Sequence, residues 1–156
     1  MTIRSIDVPQ ANDLLKVFEV ADVHAKGEDV KTVGLPGLVK REWDYYRHAA
    51  RILGLITSVG TITPAGLQLA RTTDRTEKLR RGAFLFEASE IGQAWLEWSN
   101  VTSVAQLSAD KAKAIEFVSA RTESTGSTVG RRADCLKKWV EVFHAGLPKS
   151  GPPQRP

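Results

Sequence analysis

A chain of 156 residues is long enough for one ordinary domain or two very small ones. Its 42% hydrophobic and 26% charged residues are those of a globular protein, and no run approaches the roughly 18 apolar residues of a membrane helix. A single cysteine, Cys135, excludes an internal disulfide and a cysteine-rich zinc site, while a net charge of +4 leans only mildly toward a polyanionic partner. With a polar N-terminus that is not a secretory signal, the chain is expected in a reducing cytoplasm.

Asn12 is the expected N-cap of a first helix running to about His24, with Leu14, Leu15, Val17, Phe18 and Ala21 as its buried stripe. Lys26-Gly27-Glu28-Asp29 breaks it. The glycines and proline of 33–39 limit that segment to a turn or one short helix. A stronger helix is predicted from Lys40 to Leu53. Steps of about 100° put Trp43, Tyr46, Ala49, Ala50 and Leu53 on one face. Arg41, Asp44, Tyr45, His48 and Arg51 fall on the other. Gly54 stops this helix. Residues 55–58 and 61–62 then read as two short strands around a bend at Val59-Gly60. Thr63 is the expected cap of the next helix, with Pro64 at its first position and Leu67, Leu69 and Ala70 along it. Helix, short helix, helix, hairpin, helix is the order of a winged helix-turn-helix, whose recognition helix precedes the hairpin.

The remainder reads as almost entirely helical. One helix is expected from Asp74 to about Ala88, carrying Leu79, Phe84, Leu85 and Phe86, and a second behind Ser89 with Ile91, Trp95, Leu96 and Trp98. Residues 101–107 form a loop or short helix with Thr102 and Ser103 as candidate caps. Ser108 is the expected cap of a helix ending near Thr122, and Ser127 or Thr128 that of the last one. That last helix is expected to bury Val129, Ala133, Leu136, Trp139, Val140 and Phe143 and to display Arg131, Asp134 and Lys138. From Leu147 the proline-rich run has no capacity to pack.

Arg41-Glu42-Trp43-Asp44-Tyr45-Tyr46-Arg47-His48-Ala49-Ala50-Arg51-Ile52-Leu53-Gly54-Leu55-Ile56, followed by Thr63-Pro64-Ala65-Gly66, resembles a winged-helix pattern. It is the kind found in accessory DNA-binding domains of bacterial restriction endonucleases and defence-associated ATPases. The stretch 127–139, in which a Ser/Thr pair opens a helix with two arginines followed by a leucine and a tryptophan, resembles a second block of those modules. Together the two blocks cover roughly a third of the chain. The resemblance implies binding of double-stranded DNA in restriction–modification, antiviral defence or transcription regulation. It also implies action beside a nuclease or ATPase partner protein, because no such catalytic domain is attached here.

The candidate DNA-binding residues fall on two helices. On the first, Lys40, Arg41 and Arg51 suit phosphate or guanine, and Tyr45 and His48 are shorter-reach donors. On the last, Ser127 and Thr128 sit at a helix N-terminus, where hydroxyls and free N–H groups favour a phosphate. Arg131 and Lys138 share a face beyond them, flanked by Arg132 and Lys137. The basic run 75–81 reads as a solvated linker helix, and the four tryptophans as core. The three histidines lack carboxylate or cysteine partners at ligand spacing, so no metal site and no cofactor are expected.

Neither a phosphate-binding glycine loop nor a hydrolase or metalloprotease motif is present. A nuclease core would need carboxylates and a lysine on adjacent strands, and the chain has almost no strand to carry them. The expectation is therefore a mainly α, non-enzymatic protein. It comprises a winged helix-turn-helix over 1–72, a helical helix-turn-helix-like unit over 73–146 and a disordered tail over 147–156. Double-stranded DNA is the expected partner, with no membrane and with homodimerisation open. The alternative is an adaptor subunit of a multi-protein complex, favoured by four tryptophans and modest charge.

Overall fold

Short polar side chains set most of the helix starts. The computed structural model describes residues 2–148, so the expected tail lies almost wholly outside the described residues. Helix α1 (Leu14–Ala25) is capped one residue later than expected: the Asp13 carboxylate, not Asn12, accepts the Lys16 N–H. The one-turn α2 (Val30–Val33) is capped by Asp29 and precedes the glycine-rich segment rather than lying within it. Helix α3 (Lys40–Ile52) ends at Gly54, whose φ of 78° suits a residue without Cβ. Helix α4 (Pro64–Arg71) starts on Thr63, as its Thr-Pro signal predicts.

Helices α5 (Arg75–Ala88) and α6 (Glu90–Ser99) start on Asp74 and Ser89, and α6 closes on Asn100 in the left-handed region. A 3-10 turn at Val104–Gln106 follows, held by Gln106 accepting from the Thr102 and Ser103 N–H groups. Helix α7 (Lys111–Arg121) is capped by Asp110, not Ser108, because the Ser108 hydroxyl takes the Asp110 N–H instead. Helix α8 (Ser127–Gly146) is the longest, and its cap position is Gly126 at φ 60°. Ser127 and Thr128 therefore occupy its first turn, and no side chain caps it.

The fold is mainly helical, and the expected hairpin is reduced to one antiparallel bridge between Ile56 and Ile62. The reason is competition for partners. The bonds from Thr57 N–H to Thr61 O and from Thr63 N–H to Leu55 O make this bridge, but the Thr63 carbonyl that would extend it accepts the Leu67 N–H of α4, and the Leu55 N–H turns back to the Ala50 carbonyl. Among the described residues the other bridge is parallel, joining Ile3 to Thr122.

The buried side chains form one cluster that runs from Ile3 to Phe143 and crosses the expected boundary at residues 72 and 73. Gly82 of α5 lets the Phe18 ring of α1 lie against its backbone, where any Cβ would collide. Phe86 anchors the second half, with Trp95, Trp139 and Phe143 at ring-centroid distances of 6.4, 5.9 and 5.9 Å. Trp95 stacks on Phe117 of α7. Trp95 and Trp139 are core as predicted, whereas Trp43 and Trp98 are half-buried.

Asp29 ties α2, α3 and the 57–61 turn together. Its carboxylate accepts two bonds from the Arg47 guanidinium at 2.8 and 3.0 Å and the Lys31 N–H at 2.9 Å. Beside it, buried His24 accepts the Val30 N–H at Nε2 and donates from Nδ1 to the Gly60 carbonyl, which fixes the ring as one neutral tautomer. Burial pushes the Asp29 carboxyl up, but the Arg47 bonds, the Lys31 N–H and the Arg47 charge outweigh it and leave the group below its ordinary value. A lowered carboxyl stabilises the fold above the unfolded-state value, and that stabilisation is lost as pH falls through the folded value. Asp29→Asn is therefore expected to lose about 1–3 kcal/mol at neutral pH and to show a shallower loss of stability on acidification. Urea unfolding of both proteins at neutral and acid pH checks this; parallel pH curves would refute it.

Candidate nucleic-acid interface

Helix α3 divides its faces largely as its periodicity dictates. Tyr46, Ala49, Ala50 and Leu53 are buried, and the Tyr46 hydroxyl accepts the Asp13 N–H at 3.1 Å. Lys40, Arg41, Asp44, Tyr45 and His48 are exposed, and Lys40 and Arg41 enter no ion pair among the described residues. Arg51 does not project freely as its helical position suggests. It donates to the Asp7 carboxylate at 3.1 Å and the Ile6 carbonyl at 3.0 Å, so its charge is already matched.

The N-terminal segment explains this. Residues 2–11 run from a bridge at Thr122 past α3 to α8, where the Ala11 carbonyl accepts from Trp139 Nε1 at 2.7 Å and from Cys135 Sγ at 3.2 Å. Complete burial pushes the Cys135 thiol above its ordinary range, which leaves it protonated and inert.

Along this path the segment builds one wall of a cleft. Ile6, Val8 and Pro9 face Tyr45 and His48 of α3 and Arg132 of α8 across a volume of about 350 Å³. Two helices singled out separately in the sequence thus contribute to one concave surface. Partial removal from water, with the Arg51 charge next, holds the His48 ring below its ordinary value, so the ring is neutral at pH 7.

The α8 candidates separate in the structure. Ser127 and Arg131 are exposed and Thr128 is half-buried. Arg132 is not a flanking surface cation: it is 8% exposed and donates to Ser124 Oγ at 2.9 Å. Lys138 is held by Asp134 at 3.2 Å and Lys137 by Glu141 at 2.7 Å, both one turn away on the same helix. These two lysines stabilise α8 locally and present less uncompensated charge than their spacing suggests.

Sequence reasoning missed Asp7, Asp29 and Arg47 as ion-pair partners and the apolar wall at Ile6, Val8 and Pro9. No local signal marks them, because each acts on a residue far along the chain. Among the described residues, no group of three or more histidine, cysteine or carboxylate side chains could hold a metal ion, and no helix is long and apolar enough to cross a membrane. No known protein family, characterised protein or solved structure matches the chain.

Proposed function

We propose that the chain binds double-stranded DNA, without catalysing its cleavage, through the exposed face of α3 and the first turns of α8. The observation that supports this reading is that α3 and α8 line one cleft, through Tyr45 and His48 of the first and Arg132 of the second. Lys40 and Arg41 have no ion-pair partner among the described residues, Tyr45 and His48 stand beside them, and Arg131 extends from α8 next to the cleft residue Arg132. Free cations supply the phosphate term, and the phenol and imidazole supply groups able to reach base edges. The α8 first turn, with no side-chain cap, adds N–H groups that suit a phosphate. Arg51 and Arg132 are left out of direct contact because both are occupied or enclosed. By its sequence resemblance the setting is genome defence or restriction–modification beside a nuclease or ATPase partner, with transcription regulation as the neighbouring role.

The test is a titration with random duplex DNA at two salt concentrations. Affinity should fall steeply with salt, and Lys40→Ala with Arg41→Ala should weaken binding at least tenfold and lower the salt slope by about two, one per phosphate contact. Absence of binding at low salt, or parental affinity in the double variant, would remove the proposal.

A protein–protein adaptor is the second reading, and a different surface favours it. Phe84 is 75% exposed on α5, beside a groove formed with Ala65 and Gln68 of α4. An adaptor would show no salt-dependent DNA affinity to lose.

A further inference from the structure

Arg132 is the one enclosed cation in the described residues whose charge has no visible partner. Arg47 is matched by Asp29, Arg51 by Asp7, and Arg81, whose Nε also lacks a hydrogen bond, lies 3.2 Å from a Glu77 oxygen. Arg132 has only the neutral Ser124 hydroxyl; its buried Nε has no acceptor. Burial, and after it the charge of another cation, Arg131, pull the guanidinium below its ordinary value. Enclosing an uncompensated charge is costly, and a ligand of opposite sign removes that cost.

We propose that the cleft between the N-terminal segment, α3 and α8 binds a small monocarboxylate with an apolar body, its carboxylate on Arg132 and its body against Ile6, Val8 and Pro9. Three features select that chemistry. One enclosed positive charge balances one negative charge; a phosphate dianion would need a second, and Arg131 does not line the cleft, while Arg51, which reaches the cleft residue Ile6, is taken by Asp7. The wall opposite the helices is largely apolar, with Ser5 and Gln10 beside Ile6, Val8 and Pro9, which suits a hydrocarbon or aromatic body and penalises a strongly hydrated anion. The volume of about 350 Å³ lies near the lower end of the range of about 300–1,000 Å³ for small-molecule sites. Tyr45 and His48 supply polar groups at the rim. The assignment does not depend on DNA binding.

Benzoate is the probe, titrated calorimetrically into the full chain at low ionic strength. The expected result is saturable one-to-one binding, at least tenfold weaker for the neutral isostere benzamide and at least tenfold weaker in Arg132→Met. Methionine keeps an unbranched apolar stem in place of the guanidinium, so the variant should fold. If it does not, the benzoate–benzamide comparison on the parent decides, together with the ring resonances of His48, which benzoate should shift while those of His144 stay in place. Equal binding of benzoate and benzamide, undiminished binding in folded Arg132→Met, or no saturation by benzoate would each overturn the proposal. Inorganic phosphate binding as tightly as benzoate would also overturn it, by giving the cleft to a different anion.

Discussion

Trp139→Ala is expected to lose about 3–5 kcal/mol of unfolding free energy, the usual range for removing a fully buried aromatic ring. That is a large share of the roughly 5–15 kcal/mol that holds a typical domain together. The ring is 0% exposed, meets Phe86 edge-on, and its Nε1 donates to the Ala11 carbonyl. Truncation opens a cavity at the centre of the second half and leaves Ala11 with only the weak Cys135 Sγ donor. Trp139→Phe should fall between parent and alanine, because it restores most of the apolar contact and none of the hydrogen bond. Trp43→Ala should lose less than half as much. Trp43 is half-buried over Gly34, and its Nε1 reaches Leu38 only at 3.4 Å. Chemical denaturation of the three variants checks the order; equal losses from Trp43→Ala and Trp139→Ala would contradict it.

Gly66→Ala should cost about 3 kcal/mol, the upper part of the range for forcing extra volume into a packed site. A Cβ at Gly66 would overlap the Leu55 carbonyl oxygen and press on Ile62 Cδ1 at 2.8 Å. Backbone cannot rotate away as a side chain can. Relief requires moving the start of α4, which breaks the Thr63 bonds to Leu55 and the capping bond from Gly66 N to Thr63 Oγ1. Gly130→Ala is the control with the opposite sign. Nothing lies within 4 Å of its added carbon, so a helical alanine there should stabilise by roughly 0.5–1 kcal/mol. Thermal melts of both variants suffice, and an unchanged melting temperature for Gly66→Ala would show that the α4 start yields easily.

Caps and helix faces were legible because their causes are local. Thr63-Pro64, Asp74 and Ser89 start helices where the sequence says, since each satisfies an N–H two or three residues away. Where two capping side chains stand close together, pattern alone cannot choose. Asp13 prevails over Asn12, and Asp110 over Ser108, because only the later residue lies against the first free N–H groups. The hairpin stops at one bridge for a different reason: the Thr63 carbonyl that would continue the ladder accepts the Leu67 N–H of α4, and the Leu55 N–H turns back to Ala50.

The site was only half legible. A helical wheel tells which side of α3 carries Arg51 and which side of α8 carries Arg132; it says nothing of what another segment lays over that side. Asp7 reaches Arg51 across 44 positions of sequence, and the wall that encloses Arg132 includes residues more than a hundred positions away. Lys40, Arg41 and Arg131 stay exposed because nothing covers them. Burial of a charged side chain is a property of the assembled tertiary structure.

The threading of residues 3–11 between α3 and the last two helices also orders events in time. Ile3 donates to the Arg121 carbonyl and accepts from the Glu123 N–H, both at 2.8 Å, and Ala11 waits for Trp139 across 128 positions. During synthesis at about 5–20 residues per second, these residues leave the ribosome many seconds before their partners. Closing so long a loop adds only slowly with length to the entropic barrier, about 0.6 kcal/mol per doubling, but it cannot begin early. The apolar side chains Ile3, Val8 and Pro9 therefore stay unsheltered until α7 and α8 exist, and the nascent chain is most open to misassociation in that interval.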